Sequence, residues 1–234
     1  MIGYLRRKLH NLTHPLLGRI LMLHRVVVHR SDGENRELEI TPEFLKRTIE
    51  TYRKQGYRFV SIDEACEIIN CGRTDHPFVC LTFDDGYQDN YDIAYPILKQ
   101  EEVPFAIYVT TGFIDNRHPM WWYTNEKLGI STESLKTLDS DPLCTIGAHT
   151  VSHSKLDTLS PEEQTKEIVQ SRQELETLLS HPIRHFSYPH GAYNADTLPI
   201  INQHAFRSVL HAWGGNIRRG ANPLMLPRIE LRQP

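Results

Sequence analysis

The run Val79-Cys80-Leu81-Thr82-Phe83-Asp84-Asp85-Gly86-Tyr87 decides how this chain reads, because a short apolar stretch ends on two adjacent carboxylates and a glycine. A continuous apolar run of this length, closed by a turn signal, reads as a strand buried on both faces. Its carboxyl end, where α/β sheets and barrels place their chemistry, then carries Asp84 and Asp85. Neighbouring side chains on an extended segment point to opposite faces, but a tight turn at Gly86 brings both acids to one cavity in different roles. One carboxylate can hold a cation while the other takes a proton. Asp-Asp-Gly is also ordinary turn chemistry, so the rest of the chain must decide.

Outward from this strand, helix and strand signals alternate. Thr41-Pro42-Glu43 opens a helix that carries Phe44, Leu45, Ile49 and Tyr52 inward, and Ser61 caps another ahead of Ala65, Ile68 and Ile69. Tyr91, Ala94, Tyr95 and Leu98 mark a helix after the acidic pair, followed by a strand over 104–109. Further strands are expected over 144–148, up to Tyr188 and over 207–210, with helices over 161–179 and 195–203. With no repeat of fixed period, this rhythm predicts an α/β fold built as a (β/α) barrel. The simplest partition is a leader over residues 1–19 and one domain over 20–234.

A second motif, His149-Thr150-Val151-Ser152-His153, follows the apolar segment 144–148. On a helical turn, residues four apart share a face, so both imidazoles would close on one cation. The chain holds 13 histidines, and the same spacing recurs at His10/His14 and His181/His185. Pro15 follows the first pair and Pro182 interrupts the second, so neither suits a helical clamp and both are expected to hold no metal. A third motif, Phe186-Ser187-Tyr188-Pro189-His190-Gly191, ends a strand in a Pro/Gly turn. Backbone N–H groups exposed in such a turn, beside a tyrosine, are the hardware of an oxyanion hole.

In this order the three motifs resemble the polysaccharide deacetylase family, the NodB homology domain of carbohydrate esterase family 4. That family carries Thr-Phe-Asp-Asp-Gly, His-Ser/Thr-x-x-His and a later Pro-x-Gly turn, and the likeness runs from about Leu21 to the C-terminus. The resemblance implies a distorted (β/α) barrel with fewer than eight regular strands. It implies Asp84 as catalytic base, and Asp85, His149 and His153 as ligands of a divalent cation. Zn²⁺ is the first expectation, with Co²⁺, Ni²⁺ and Fe²⁺ as alternatives. Tyr188 lies in the turn whose backbone N–H helps to bind the oxyanion. Two histidines and one aspartate leave positions open for water and a carbonyl oxygen, and zinc lowers the pKa of bound water to about 7.

Two departures stand out. Many members have an arginine ahead of the Pro-x-Gly turn that orients the base, where this chain has Phe186-Ser187-Tyr188; many also end in Leu-x-His, whose histidine is the general acid, and this chain ends without one. Ile20-Leu21-Met22-Leu23-His24 resembles that terminal motif moved to the N-terminus, as in permuted exopolysaccharide deacetylases. First and last strands of a barrel are neighbours, so His24 can serve as the acid, and Arg228 on the last strand can supply the guanidinium.

The resemblance thus implies a metal-dependent hydrolase that removes N-acetyl or formyl groups from amino sugars of a cell-surface polysaccharide or its glycolipid precursor. Hydrolysis of a small non-peptide amide is the alternative chemistry, and a catalytically silent carbohydrate-binding protein is the alternative class. Retention of Asp84 argues against the silent protein, since metal binding alone does not need a second carboxylate.

A composition of 39% hydrophobic and 24% charged residues suits one globular core. The formal charge of -3, without a basic stripe interleaved with aromatics, gives no reason to expect nucleic acid. Cys66, Cys71, Cys80 and Cys144 form no C-x-x-C pair, which favours reduced thiols and a cytoplasmic location. No apolar run is long enough for a signal peptide or a span. Residues 4–17 could instead rest peripherally on an anionic membrane as a short basic amphipathic segment. Met120-Trp121-Trp122-Tyr123 and Trp213 either stack on sugar rings or pack loops against the barrel.

Overall fold

All six residues of Phe78–Phe83 are buried, as befits a strand covered on both faces. It is the fifth strand of the computed structural model, which describes residues 14–123 and 127–234. The strands are β1 (Leu16–Leu23), β2 (Arg25–Val26), β3 (Glu39–Ile40), β4 (Arg58–Phe59), β5 (Phe78–Phe83), β6 (Phe105–Val109), β7 (Cys144–Ala148), β8 (His185–Ser187), β9 (Ser208–His211), β10 (Ile217–Arg218), β11 (Leu226–Pro227) and β12 (Ile229–Glu230).

β1 pairs in parallel with β5, and β5 to β9 follow one another in parallel. The last strand breaks at Arg228: β11 pairs with β9, while β12 pairs with β1 through Leu21↔Ile229. The ring therefore runs from β1 through β5 to β9 and back through the broken strand. This is the expected distorted (β/α) barrel, with fewer than the eight strands of a regular one. β10 adds an antiparallel edge to β1, β4 pairs with β5, and β2 and β3 form a separate ribbon.

β1 begins at Leu16 rather than Ile20, so residues 16–19, assigned to a leader by the sequence, belong to the barrel. Residues 1–13, with His10 and most of the basic segment 4–17, lie outside the described residues. Among the described residues no helix is long and apolar enough to cross a membrane. All four cysteines are free, with only Cys71 exposed.

Local signals start the helices where they were read. The Thr41 and Ser61 side chains cap Pro42–Lys54 and Ile62–Cys71, and a Ser160/Glu163 capping box opens the helix at Pro161. Two helical stretches, however, contain π-turns. Asn90–Ala94 leads into Tyr95–Gln100, and Lys166–Gln170 interrupts the helix expected to run unbroken over 161–179. A π-turn inserts one residue without disturbing the apolar pattern enough to be read, and such turns gather at functional sites.

The strand period places the site. Val79, Leu81 and Phe83 join the large core shared with helix residues Leu45, Ile49, Leu98 and Leu175, whereas Phe78 and Cys80 join the smaller core around Tyr108 and Leu210. Each such buried side chain contributes about 1.5–3 kcal/mol. Thr82 and Asp84 continue the row of Phe78 and Cys80 on the barrel's inner side.

Candidate active site

Asp84 follows β5 directly, and its N–H donates to Leu23 O at 3.0 Å, which ties the end of β5 to the end of β1. Asp85 and Gly86 then both take left-handed backbone, with φ of 75° and 79°. At Gly86 any side chain would be strained, and a Cβ would stand 3.1 Å from Val109 Cγ1. The reversal is held by Thr110 N–H donating to Asp85 O at 3.3 Å and Ile130 N–H to Gly86 O at 2.9 Å. Both acids are buried, as the tight turn at Gly86 predicts.

Arg228, fully buried in the break between β11 and β12, donates from Nη1 to Asp84 Oδ1 at 2.7 Å and from Nη2 to Oδ2 at 2.6 Å. The same guanidinium reaches Thr82 Oγ1 at 3.1 Å, Ser187 Oγ at 2.8 Å and His211 O at 3.3 Å. A bidentate, charge-assisted pair of this kind fixes both orientation and ionisation. Burial pushes the Asp84 carboxyl up, but the Arg228 charge and then His149 outweigh it, holding the group below the usual carboxylate range. The guanidinium missing before the Pro-x-Gly turn is thus present on the last strand, next to the carboxylate it was expected to serve.

His149 follows β7; its N–H donates to Val109 O at 3.0 Å, and its Nδ1 faces Ser187 O at 2.8 Å. That contact fixes Nδ1 as the donor and leaves the Nε2 lone pair facing Asp85. The helical clamp read from the spacing is not formed. Residues 149–155 are an irregular loop with left-handed backbone at Thr150 (φ 67°) and His153 (φ 60°), closed by His153 N–H donating to Thr150 Oγ1 at 3.0 Å. The two imidazoles converge nonetheless, with Nε2 of His153 and of His149 at 3.1 Å and 3.4 Å from Asp85 Oδ1.

Among the described residues, Asp85, His149 and His153 are the one group of three whose donor atoms lie within 4.8 Å of one another. Asp85 Oδ1 is buried and accepts no hydrogen bond. A buried carboxylate oxygen without a donor, faced by two ring nitrogens, fits a divalent cation. Burial raises the Asp85 carboxyl, yet His153 and then His149 bring it well below the usual range. The histidine pairs expected to stay idle behave differently. The His181 Nε2 lies 2.8 Å from Asp139 on the surface, and the buried His185 Nδ1 lies 2.7 Å from Ser208 Oγ.

Tyr188 corrects the sequence reading of the third motif. Its N–H donates to Leu210 O at 3.0 Å, so the strand ladder has already engaged it. In the turn that follows, Gly191 and Ala192 donate to Tyr188 O and Pro189 O, and the His190 N–H has no hydrogen bond among the described residues. His190 is itself left-handed (φ 57°), its ring centroid lies 4.7 Å from that of His153, and burial with the nearby His153 and Lys155 pushes its pKa down to about 4. Proline and glycine marked the turn; which amide stays free depends on ladder register.

His24 stands at the end of β1 beside β12, the adjacency that a relocated acid requires. Its carbonyl accepts from Asn90 Nδ2 at 2.8 Å, and its imidazole is among the smaller influences that lower both Asp84 and Asp85. The aromatic segment divides. Trp122 packs on His153 at 4.7 Å and donates to Tyr87 Oη at 2.8 Å, while Trp121 and Trp213 are 67% and 56% exposed.

A parallel barrel with a buried Asp84–Arg228 ion pair and a three-donor cluster at its strand ends suits hydrolases of the deacetylase type. The family described as polysaccharide deacetylase matches residues 72–209, and the chain belongs to that family. It is similar to YxkH of Bacillus subtilis (strain 168), 23% identical over 207 residues that cover 88% of this chain and 70% of that protein. The poly-beta-1,6-N-acetyl-D-glucosamine N-deacetylase of Staphylococcus aureus (strain MSSA476) is 23% identical over 207 residues, covering 85% and 70%. Among solved structures, the Streptococcus pyogenes deacetylase PplD in complex with acetate superposes with a TM-score of 0.80 at 27% identity, covering 92% of each chain. IcaB from Ammonifex degensii shares the fold, with a TM-score of 0.79, 24% identity and the same 92% coverage of each chain.

Proposed function

We propose that the chain is a metal-dependent N-deacetylase that hydrolyses the acetamide, or formamide, of amino sugars in a cell-surface glycan or its lipid-linked precursor. The observation that carries this reading is the pairing of an ionised, Arg228-held Asp84 with the Asp85, His149 and His153 cluster, in which His149 Nε2 lies 3.9 Å from Asp84 Oδ2. The staphylococcal relative, named for removing acetyl groups from poly-N-acetylglucosamine, supports the choice of substrate class.

A divalent cation held by Asp85, His149 and His153 supplies Lewis acidity toward a water and an acyl oxygen. Asp84 accepts the proton of the attacking water, and Arg228 keeps it ionised and aimed. The His190 N–H donates to the acyl oxygen as negative charge develops there. His24 delivers a proton to the departing nitrogen, so that the products are acetate and a free amine.

Acetate release from β-1,6-linked N-acetylglucosamine oligomers tests the reading, with release expected to stop on chelation and to return with Zn²⁺. Release from a small non-peptide amide but not from the oligomers would favour the other hydrolytic chemistry. Oligomer binding without release from any substrate would leave a silent carbohydrate-binding protein.

A further inference from the structure

His149 and His153 are held in different ways. The His149 ring is oriented by its own contact with Ser187 O, whereas His153 Nδ1 is buried with no hydrogen-bond partner. Metal-binding imidazoles ordinarily have the other ring nitrogen tied down. With Trp122 and His190 packed against the ring but no hydrogen bond at Nδ1, the placement of His153 relies on the backbone that carries it. That backbone is strained, since Thr150 is a β-branched residue in the left-handed region and His153 lies there too.

One side chain from outside the loop grips this stretch at its centre. Glu167 Oε2 accepts from the N–H groups of Val151 at 2.8 Å and Ser152 at 2.9 Å, and Oε1 accepts from Ser152 Oγ at 2.7 Å. Two successive N–H groups converging on one carboxylate oxygen form an anion-binding nest, here filled by the protein itself. Glu167 belongs to the π-turn Lys166–Gln170, the irregularity that interrupts an otherwise regular helix. On the other side, Thr111 and Gly112 N–H groups donate to Thr150 O at 3.1 Å and Val151 O at 2.8 Å, so the loop is gripped from both edges.

We propose that Glu167 is a positioning residue for the cation site: through the 151–152 amides it holds the strained loop in the one shape that presents His153 Nε2 to Asp85 and His149. The inference rests on the metal-site reading above. Loosening the loop weakens one of three ligands, so it raises the dissociation rate of the metal and changes its coordination.

The test measures Zn²⁺ affinity by competition with a chromophoric chelator, and the visible spectrum after Co²⁺ loading, for the wild type, Glu167→Gln and Glu167→Ala. Leu175→Ala, a core truncation in the same helical run, controls for general destabilisation. Affinity should fall about 10–100-fold in Glu167→Ala, the scale of lost outer-shell contacts, and less in Glu167→Gln, which keeps an acceptor oxygen. The Co²⁺ spectrum should change in Glu167→Ala and stay unchanged in Leu175→Ala. If Glu167→Ala fails to fold, Glu167→Gln alone carries the comparison. Wild-type protein that binds no Zn²⁺ sinks the metal reading and this inference with it. Wild-type binding with unaltered affinity and spectrum in both Glu167 variants sinks the inference alone, as does an equal loss in Leu175→Ala.

Discussion

Replacing Arg228 with methionine removes the guanidinium but keeps most of the length and apolar character of the side chain. Arg228 is 0% exposed and Asp84 4%, so solvent offers neither group a substitute. Breaking a buried pair by deleting one partner costs about 3–5 kcal/mol. At about 2–4 °C per kcal/mol for chains of this size, the Tm should fall by about 6–20 °C near neutral pH. The pH dependence follows from the sign of the shift. In the wild type the Asp84 pKa is lowered, so its contribution is present above the unfolded carboxylate value of about 4 and is lost as pH falls through the folded value. In the variant, burial is no longer outweighed by Arg228 and the pKa rises, so ionised Asp84 costs more as pH increases. The Tm gap should be wide near pH 7 and narrower at about pH 5. In step, the acid limb of kcat/KM for acetate release should move to higher pH, because the base must be ionised to act. Thermal melts and a rate profile on the zinc-loaded protein measure both. An unchanged Tm with an acid limb that stays in place would refute the claim that Arg228 sets the charge of Asp84.

Two further substitutions separate coordination from proton transfer. Asp84→Asn should abolish most turnover while bound zinc, measured by elemental analysis, stays near the wild-type ratio; His149→Ala should lose both, and equal metal loss in the two variants would mean that the carboxylate roles are exchanged. His24→Ala should lower kcat by about 10²- to 10⁴-fold with metal content retained. Near-normal turnover in that variant would transfer protonation to water or to another group.

Where residue type and the strand period were enough, the chain was legible. The six residues of β5, all buried, and the five of β7, four of them buried, stand where apolar runs meet acids and histidine, and both runs lie in the barrel wall. Arg228 could be picked out because it follows a short apolar stretch on the last strand of a barrel, where a guanidinium was missing. Backbone geometry was the illegible part. Nothing in His149-Thr150-Val151-Ser152-His153 announces that threonine and histidine adopt positive φ, since glycine is the usual marker of that region. A helix and this loop present the same spacing with different handedness, so the imidazole pair was found for a reason that does not hold. The engagement of the Tyr188 amide follows from β8 pairing with β9, a register set by partners distant in sequence. Glu167 was invisible because its hydrogen bonds cross 15 and 16 residues from inside a helical run, at a π-turn that the apolar pattern does not announce.

The break in the last strand links these observations to one another. β11 finishes the wall beside β9 and β12 begins it again beside β1, so the residue between them sits at the seam where the barrel closes. A buried cation at a seam needs an anion, and the inward row of β5 ends on Asp84 one strand away across β1. The residue at the closure of the barrel is therefore also the partner of the proposed base. Ser187 fits this account: in the stretch where family members carry the arginine, its small hydroxyl accepts from Arg228 Nη2 at 2.8 Å and leaves room for a guanidinium arriving from the opposite direction. A second guanidinium from position 187 would compete for the same carboxylate and add an uncompensated buried charge. The serine is thus the complement of Arg228, and the absence of an arginine ahead of the Pro-x-Gly turn and the presence of one on the last strand fit together around one carboxylate.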